Sequence, residues 1–373
     1  MATLAGFWAS IWRGRAEPPT ALAISADHVL GVTAPPAKLV PRKSYFHMTV
    51  NELFLLDARK GTQLLAPMVV AVSEFMYEGK PVTVPYVVGP GKLKAVTGVE
   101  ARSMLYNDTR VAGLHPYTGG VVSLAVILCQ VPVDNVADRF LKVLESISGA
   151  FGLVTPLGPY LKMGDTLING VNDLLGLGTT KPLVGWQQNF DYDGEQSFAP
   201  GYFVLINGAD VGADSLWVEN GRLHHGTRAT HVPFRQADYV LFSVGQPSNG
   251  KRSDLEHLDW YPLWERVLKD ALSSTPDALK SMQANYTALA QSILLSPDLT
   301  EPQANELVEE YFNRAQAERD RNKRRTFRAQ PSDDARLAME PLEDLHARSL
   351  RAFTLHREDD AIPRLLDHDP DQR

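Results

Sequence analysis

Between Ala21 and Val244 the chain returns repeatedly to short strand-like stretches, each closed by a turn signal. This recurrence restricts the fold more than any other feature of the sequence. The stretches are Ala21–Ala34, Ser44–Leu56, Gln63–Met76, Val82–Val88, Gly120–Val131, Gly201–Ile206, Ser215–Val218 and Tyr239–Val244. Breakers separate them at Ala34–Pro36, Lys60–Gly61, Glu78–Lys80, Gly89–Gly91, Glu219–Gly221 and Pro247–Gly250. Asn220–Gly221 is the strongest of these, because a two-residue Asn-Gly turn tolerates positive φ at both positions; with Leu216–Val218 before it and Leu223 after it, the segment reads as a tight hairpin. Val121–Val131 is almost continuously apolar, as expected of a central strand covered on both faces, and it places Cys129 in the core.

Two helices are expected to interrupt the strand series. Asp134 caps the first, whose stripe is Val136, Phe140, Val143, Leu144 and Ile147. Thr155 and Pro156 start the second, which carries Tyr160, Met163, Leu167, Val171, Leu174 and Leu175 and ends at Gly176 and Gly178. The glycines inside it, Gly164 and Gly170, weaken the helix and favour close backbone packing. The expected fold class is therefore α+β: an antiparallel β-sandwich-like core over residues 20–250, a helical hairpin inserted at about 134–176, and a C-terminal helical extension.

From Asp254 the period changes from strand to helix. A segment of Leu255, Leu258, Trp260, Leu263, Trp264 and Val267 bends or restarts near Pro262. Thr275–Pro276 opens a helix with Leu279, Met282, Tyr286, Leu289, Ile293 and Leu294 on one side. Thr300 and Gln303 form a capping box for another, which carries Leu307, Val308, Tyr311 and Phe312. Beyond Ala315 the stripe fades, and Arg319, Arg321, Lys323, Arg324, Arg325 and Arg328 make an exposed basic segment. The helical region is thus read as 251–330, and 331–373 as one short helix and a polar, disordered tail.

Residues 1–19 form a segment of their own. Leu4, Phe7, Trp8, Ile11 and Trp12 fall at the spacing of one helical face, before Pro18 and Pro19 interrupt any helix. Without a charged region before an apolar core or a clear cleavage site, this does not read as a signal peptide. Its face is suited to its own domain, to a partner groove or, with only Arg13 and Arg15 nearby, less well to a membrane surface.

Composition limits function. The formal charge of −7 gives no global case for nucleic-acid binding, and the single cysteine is read with a reducing cytoplasm. No apolar run reaches the length of a membrane span. Familiar catalytic motifs fail: Gly89–Lys92 lacks the first glycine and the hydroxyl residue of a phosphate loop, and Gly176–Gly178 follows a helix rather than a strand. Asn189, Asp191, Asp193 and Gly194 match half a calcium loop, but Pro200 stands where the bidentate Glu belongs. Among His224, His225 and His231, the adjacent pair points to opposite strand faces, so only one of the two can join His231 across a turn. Metal ligation is thus a minor option, with Asp191, Asp193, His225 and His231 as its residues.

The leading expectation is a non-enzymatic protein-binding or adaptor protein with no cofactor. Its partner is another protein, engaged through Phe7, Trp8, Ile11 and Trp12 or through the C-terminal helices. One alternative is a hydrolase using His115, His225, His231 or the Asp191–Asp193 turn; another is regulation by cleavage or rearrangement of the C-terminal tail, with Arg319–Arg328 as the accessible site.

Overall fold

The computed structural model describes residues 3–13, 21–31, 37–56, 59–60, 62–89, 103–132, 157–176, 180–192, 198–208, 211–247 and 249–329. The first inserted helix, the short helix after 331 and the polar tail all fall outside them. Two compact units divide the chain between Leu258 and Asp259.

The first unit is built on two antiparallel sheets. One has the order β1 (Leu22–Ile24), β9 (Gly201–Asn207), β13 (Asp238–Gly245), β2 (Tyr45–Phe54) and β6 (Ser103–Pro116). In the other, β4 (Gln63–Tyr77) pairs with β5 (Lys80–Val88) and with β7 (Val122–Pro132), which pairs with β8 (Lys181–Phe190). The short β3 (Arg59–Lys60) adds to the start of β4. The two sheets face each other through aromatic rings. Trp186 on β8 lies 5.5 Å from Phe203 on β9 and 5.2 Å from Phe242 on β13, and Phe46 on β2 meets Phe75 on β4 edge-on at 5.5 Å. The expected sandwich-like α+β fold is observed, and β7 is the central strand that its apolar run implied, with Cys129 fully buried.

Both outer faces of the sandwich are covered. Behind β5 lies α2 (Leu157–Gly176), and a Cβ added at Gly164 would meet the Thr83 carbonyl at 3.3 Å, so the glycine sets this close approach. Beside it, α1 (Leu4–Ile11) buries Leu4, Phe7 and Ile11 in the same core, with Trp8 and Trp12 packed half-buried against it. A Cβ at Gly185 on β8 would stand 2.5 Å from Trp12 and 3.1 Å from Trp8. Glu74 on β4 receives the Leu4 N–H at 3.0 Å and Thr3 caps Gly6, so a carboxylate sits at the positive end of the helix. Ser10 donates to Asn172 of α2 at 3.0 Å.

The opposite outer face is covered by a small sheet of β10 (Leu216–Glu219), β11 (Arg222–His225) and β12 (Val232–Pro233). Its inward residues Leu216, Val218 and Leu223 join Phe54, Val204, Ile206, Tyr239 and Leu241 in a second core. An irregularity at Asn51 explains how β2 serves both cores. The pairing passes from Leu241–Glu52 to Phe242–Val50, so one extra residue shifts the alternation, and Glu52 faces the small sheet while Val50 and Leu53 join the larger core.

The second unit contains α3 (Tyr261–Ala271), α4 (Ala278–Leu294) and α5 (Glu301–Ala329). Pro262 lies in the first turn of α3, so the helix starts there rather than bending. α4 begins after Asp277, later than Thr275–Pro276 suggested. Trp264 stacks on Tyr311 at 4.5 Å, and the buried Tyr286 hydroxyl donates to the Val308 carbonyl at 3.0 Å. Asp270 of α3 accepts from Ser281 and Asn285 of α4, both at 2.7 Å.

Candidate functional site

Among the described residues, a group of metal-ligating side chains converges on the outward face of the small sheet. Asn220 and Gly221 have φ of 51° and 71°, which closes the β10–β11 hairpin as its sequence implied. That turn pairs Glu219 with Arg222 and Trp217 with His224. Because Leu216, Val218 and Leu223 turn toward the core, Trp217, Glu219 and His224 lie on the other side.

Residues 226–231 then fold back over this side. Gly226 has φ of +135°, and a Cβ there would meet the Thr230 carbonyl at 2.8 Å, so only glycine permits the crossing. The Trp217 indole N–H donates to the Gly226 carbonyl at 3.0 Å. His231 is thereby set against His224, with ring centroids 5.1 Å apart. His28 stacks on Trp217 at 4.1 Å.

Glu219, His224 and His231 present one ligand atom each, all within 4.8 Å of one another. Glu219 Oε2 is 3.4 Å from His231 Nε2 and 3.9 Å from His224 Nε2. Each imidazole directs Nδ1 at a backbone carbonyl 3.2 Å away, that of Arg222 for His224 and that of Arg228 for His231. Among the described residues this is the one group of three or more such side chains that converges.

The small sheet is pinned from below. Glu52, almost fully buried, accepts the Leu223 N–H at 2.7 Å and pairs with Arg235 Nη2 at 3.0 Å. Arg235 also donates to the Phe234 carbonyl and the Tyr239 hydroxyl and lies over the Phe54 ring. Burial, with the Glu52 charge beside it, holds the Tyr239 phenol well above its usual range, while Arg235 partly opposes this.

The side chains that converge differ from those singled out in the sequence. His224, not His225, joins His231; the His225 ring lies on the inward side, 6.3 Å from Phe234. Asp191 is exposed just after β8, and Asp193 lies outside the described residues. His115 is buried beside Phe46 and Phe75, so it shares no cluster with His225, His231 or Asp191 among the described residues. Sequence reasoning missed Glu219, although counting pairs outward from the Asn-Gly turn places it on the face of His224.

The remaining candidates divide sharply. Phe7 and Ile11 are buried within their own unit, and Trp8 and Trp12 lie half-buried over Gly185. The basic segment continues α5 as helix. Arg321, Lys323, Arg324 and Arg325 are exposed, whereas Arg319 is half-buried, and burial lowers its guanidinium from the usual value against the opposing charge of Asp320. Arg328 lies in the last turn of α5.

The architecture is thus that of an α+β protein with an antiparallel sandwich, an outer three-stranded sheet and a separate helical unit. No known protein family, curated protein or solved structure matches the chain. No helix among the described residues is long and apolar enough to cross a membrane.

Proposed function

We propose that the chain is a non-enzymatic protein-binding or adaptor protein whose contact surface is the cationic second half of α5, and whose partner is an acidic protein surface. One observation carries this reading. The apolar stripe of α5 ends at Ala315, yet the helix continues to Ala329 with Arg321, Lys323, Arg324 and Arg325 exposed. Arg321 is paired with Glu318 at 2.7 Å, and Arg324 reaches back to the Asp320 carbonyl at 3.3 Å. These exposed cationic side chains follow one another along a single helix, an arrangement that speeds and orients encounter with an opposite charge.

The test is retention of the full chain on immobilised poly-glutamate, at about 150 mM salt, where surface charges are screened beyond roughly 8 Å. The wild type is expected to be retained, and a variant carrying Arg321→Glu, Arg324→Glu and Arg325→Glu to pass through. Equal retention of both, or stronger retention of the wild type on single-stranded RNA than on poly-glutamate, overturns the reading.

A further inference from the structure

We propose that Glu219, His224 and His231 form a binding site for a divalent transition metal of the zinc class. Three features of the outer hairpin lead to it, and none depends on the role of α5.

The first is spacing. Zinc holds imidazole nitrogen and carboxylate oxygen at about 2.0–2.2 Å in tetrahedral sites, which puts neighbouring ligand atoms about 3.3–3.6 Å apart. His231 Nε2 and Glu219 Oε2 already stand at 3.4 Å, and His224 Nε2 is 3.9 Å from the same oxygen. All three ligand atoms lie within 4.8 Å of one another, so small side-chain rotations bring them to that spacing.

The second is the direction of the lone pairs. A carbonyl oxygen only accepts, so the contacts to Arg222 and Arg228 fix the proton of each imidazole on Nδ1. Each Nε2 then carries a lone pair and faces the carboxylate. With the protons so placed, the contact of His231 Nε2 with Glu219 Oε2 at 3.4 Å brings two acceptors together. A single divalent cation satisfies all three acceptors at once, and an Nδ1–H held by a backbone carbonyl is the usual support for a ligating histidine.

The third is preorganisation and access. The two imidazoles are largely covered, with side chains 10% and 15% exposed, while Glu219 is 43% exposed. The floor of the site is therefore fixed and its mouth is open to a fourth ligand. The Asn220–Gly221 turn and the Gly226 crossing hold the three residues through backbone geometry, so little ordering remains to be done on binding. Two nitrogens and one oxygen suit zinc and its neighbours rather than calcium or magnesium, which take oxygen.

The experiment uses the full chain, stripped with a chelator and titrated with Zn²⁺ by calorimetry and with Co²⁺ by visible absorption. Trp217 lies 6.4 Å from His231, so its fluorescence provides a local readout of Co²⁺ quenching. Binding of one Zn²⁺ per chain is expected, with tetrahedral Co²⁺ bands and quenched Trp217. Glu219→Gln and His231→Gln should each weaken binding by more than the ten- to hundredfold that loss of a supporting group causes. Glu219 is exposed enough that its variant keeps the fold, which circular dichroism verifies. His225→Gln, on the opposite face, should bind within about twofold of wild type. Absence of one-to-one binding overturns the site, and so does affinity that is unchanged by Glu219→Gln and His231→Gln or equally lost in His225→Gln.

Discussion

The first and last helices of the described chain are both amphipathic in sequence, and the structure uses them in opposite ways. α1 is eight residues long and carries its aromatic side chains inward, onto β4, β8 and α2. α5 is 29 residues long, buries an apolar stripe only as far as Ala315, and then runs on with exposed cationic side chains. An amphipathic stripe marks a surface that must be covered, but it does not say by what. For α1 the cover is the chain's own sheet, with Glu74 at the helix start; for α5 Arg321, Lys323, Arg324 and Arg325 remain exposed.

The sharpest way to break this contrast is to remove a docked aromatic. Phe7→Ala should lower the stability of the first unit by about 3–5 kcal/mol, the usual range for losing a buried phenylalanine. Thermal unfolding measures it, and an unchanged midpoint would dissolve the difference between the helices. Gly185→Val attacks the same docking from the sheet side. Its new atoms collide with Trp12 and Trp8, so a loss of about 1–3 kcal/mol is expected together with altered tryptophan emission. Glu74→Gln is milder, because it keeps a hydrogen-bond acceptor but removes the charge at the helix end. A loss of about 0.3–1 kcal/mol is expected, read from denaturant midpoints.

Effects on the helical unit should be smaller and more dependent on pH. Burial raises the Tyr286 phenol, as it does Tyr239 in the sandwich. Above about pH 10 the unfolded chain loses these protons while the folded chain keeps them. The unfolded state then binds fewer protons, so stability falls as pH rises through that range and is insensitive to these tyrosines below it. Tyr286→Phe should cost about 1 kcal/mol at neutral pH through the lost bond to Val308 and should flatten the alkaline decline of the helical unit. Denaturation series at neutral pH and above pH 10 compare the two proteins. Reversing the charges of Arg324 and Arg325 should change stability least, within about 0.5 kcal/mol each, because neither side chain is buried.

Much of the sandwich was legible because its strands carry their period openly. β2, β4, β5, β7, β9, β10 and β13 lie within a residue or two of their expected ranges, and the Asn-Gly hairpin is where its turn chemistry put it. β6 and β8 were not legible. Asn107, Asp108 and Arg110 interrupt the apolar pattern of β6, and Gln187, Gln188 and Asn189 give β8 the composition of a loop. Both are strands because neighbours pair with them, a tertiary cause that local pattern does not carry. The stretch expected over Ala21–Ala34 yields only Leu22–Ile24 before a helical turn at Ala26–His28. For the outer site the histidine pair and its opposite faces are legible, but which of the two faces outward is not: Leu223 faces the core, which turns His224 outward and His225 back inward.

Cys129 gives the sandwich an internal clock. It is the only thiol in the sequence, and it is sealed at the centre of β7 between β4 and β8. A thiol reagent reaches it only when the packing around β7 opens, so the modification rate of the unaltered protein counts openings of this unit. At low reagent concentration that rate follows the equilibrium for opening, and at high concentration it follows the opening step itself. Metal binding at the outer hairpin, or an alteration that loosens α1, can therefore be read as a slower or faster reaction at one buried sulfur atom.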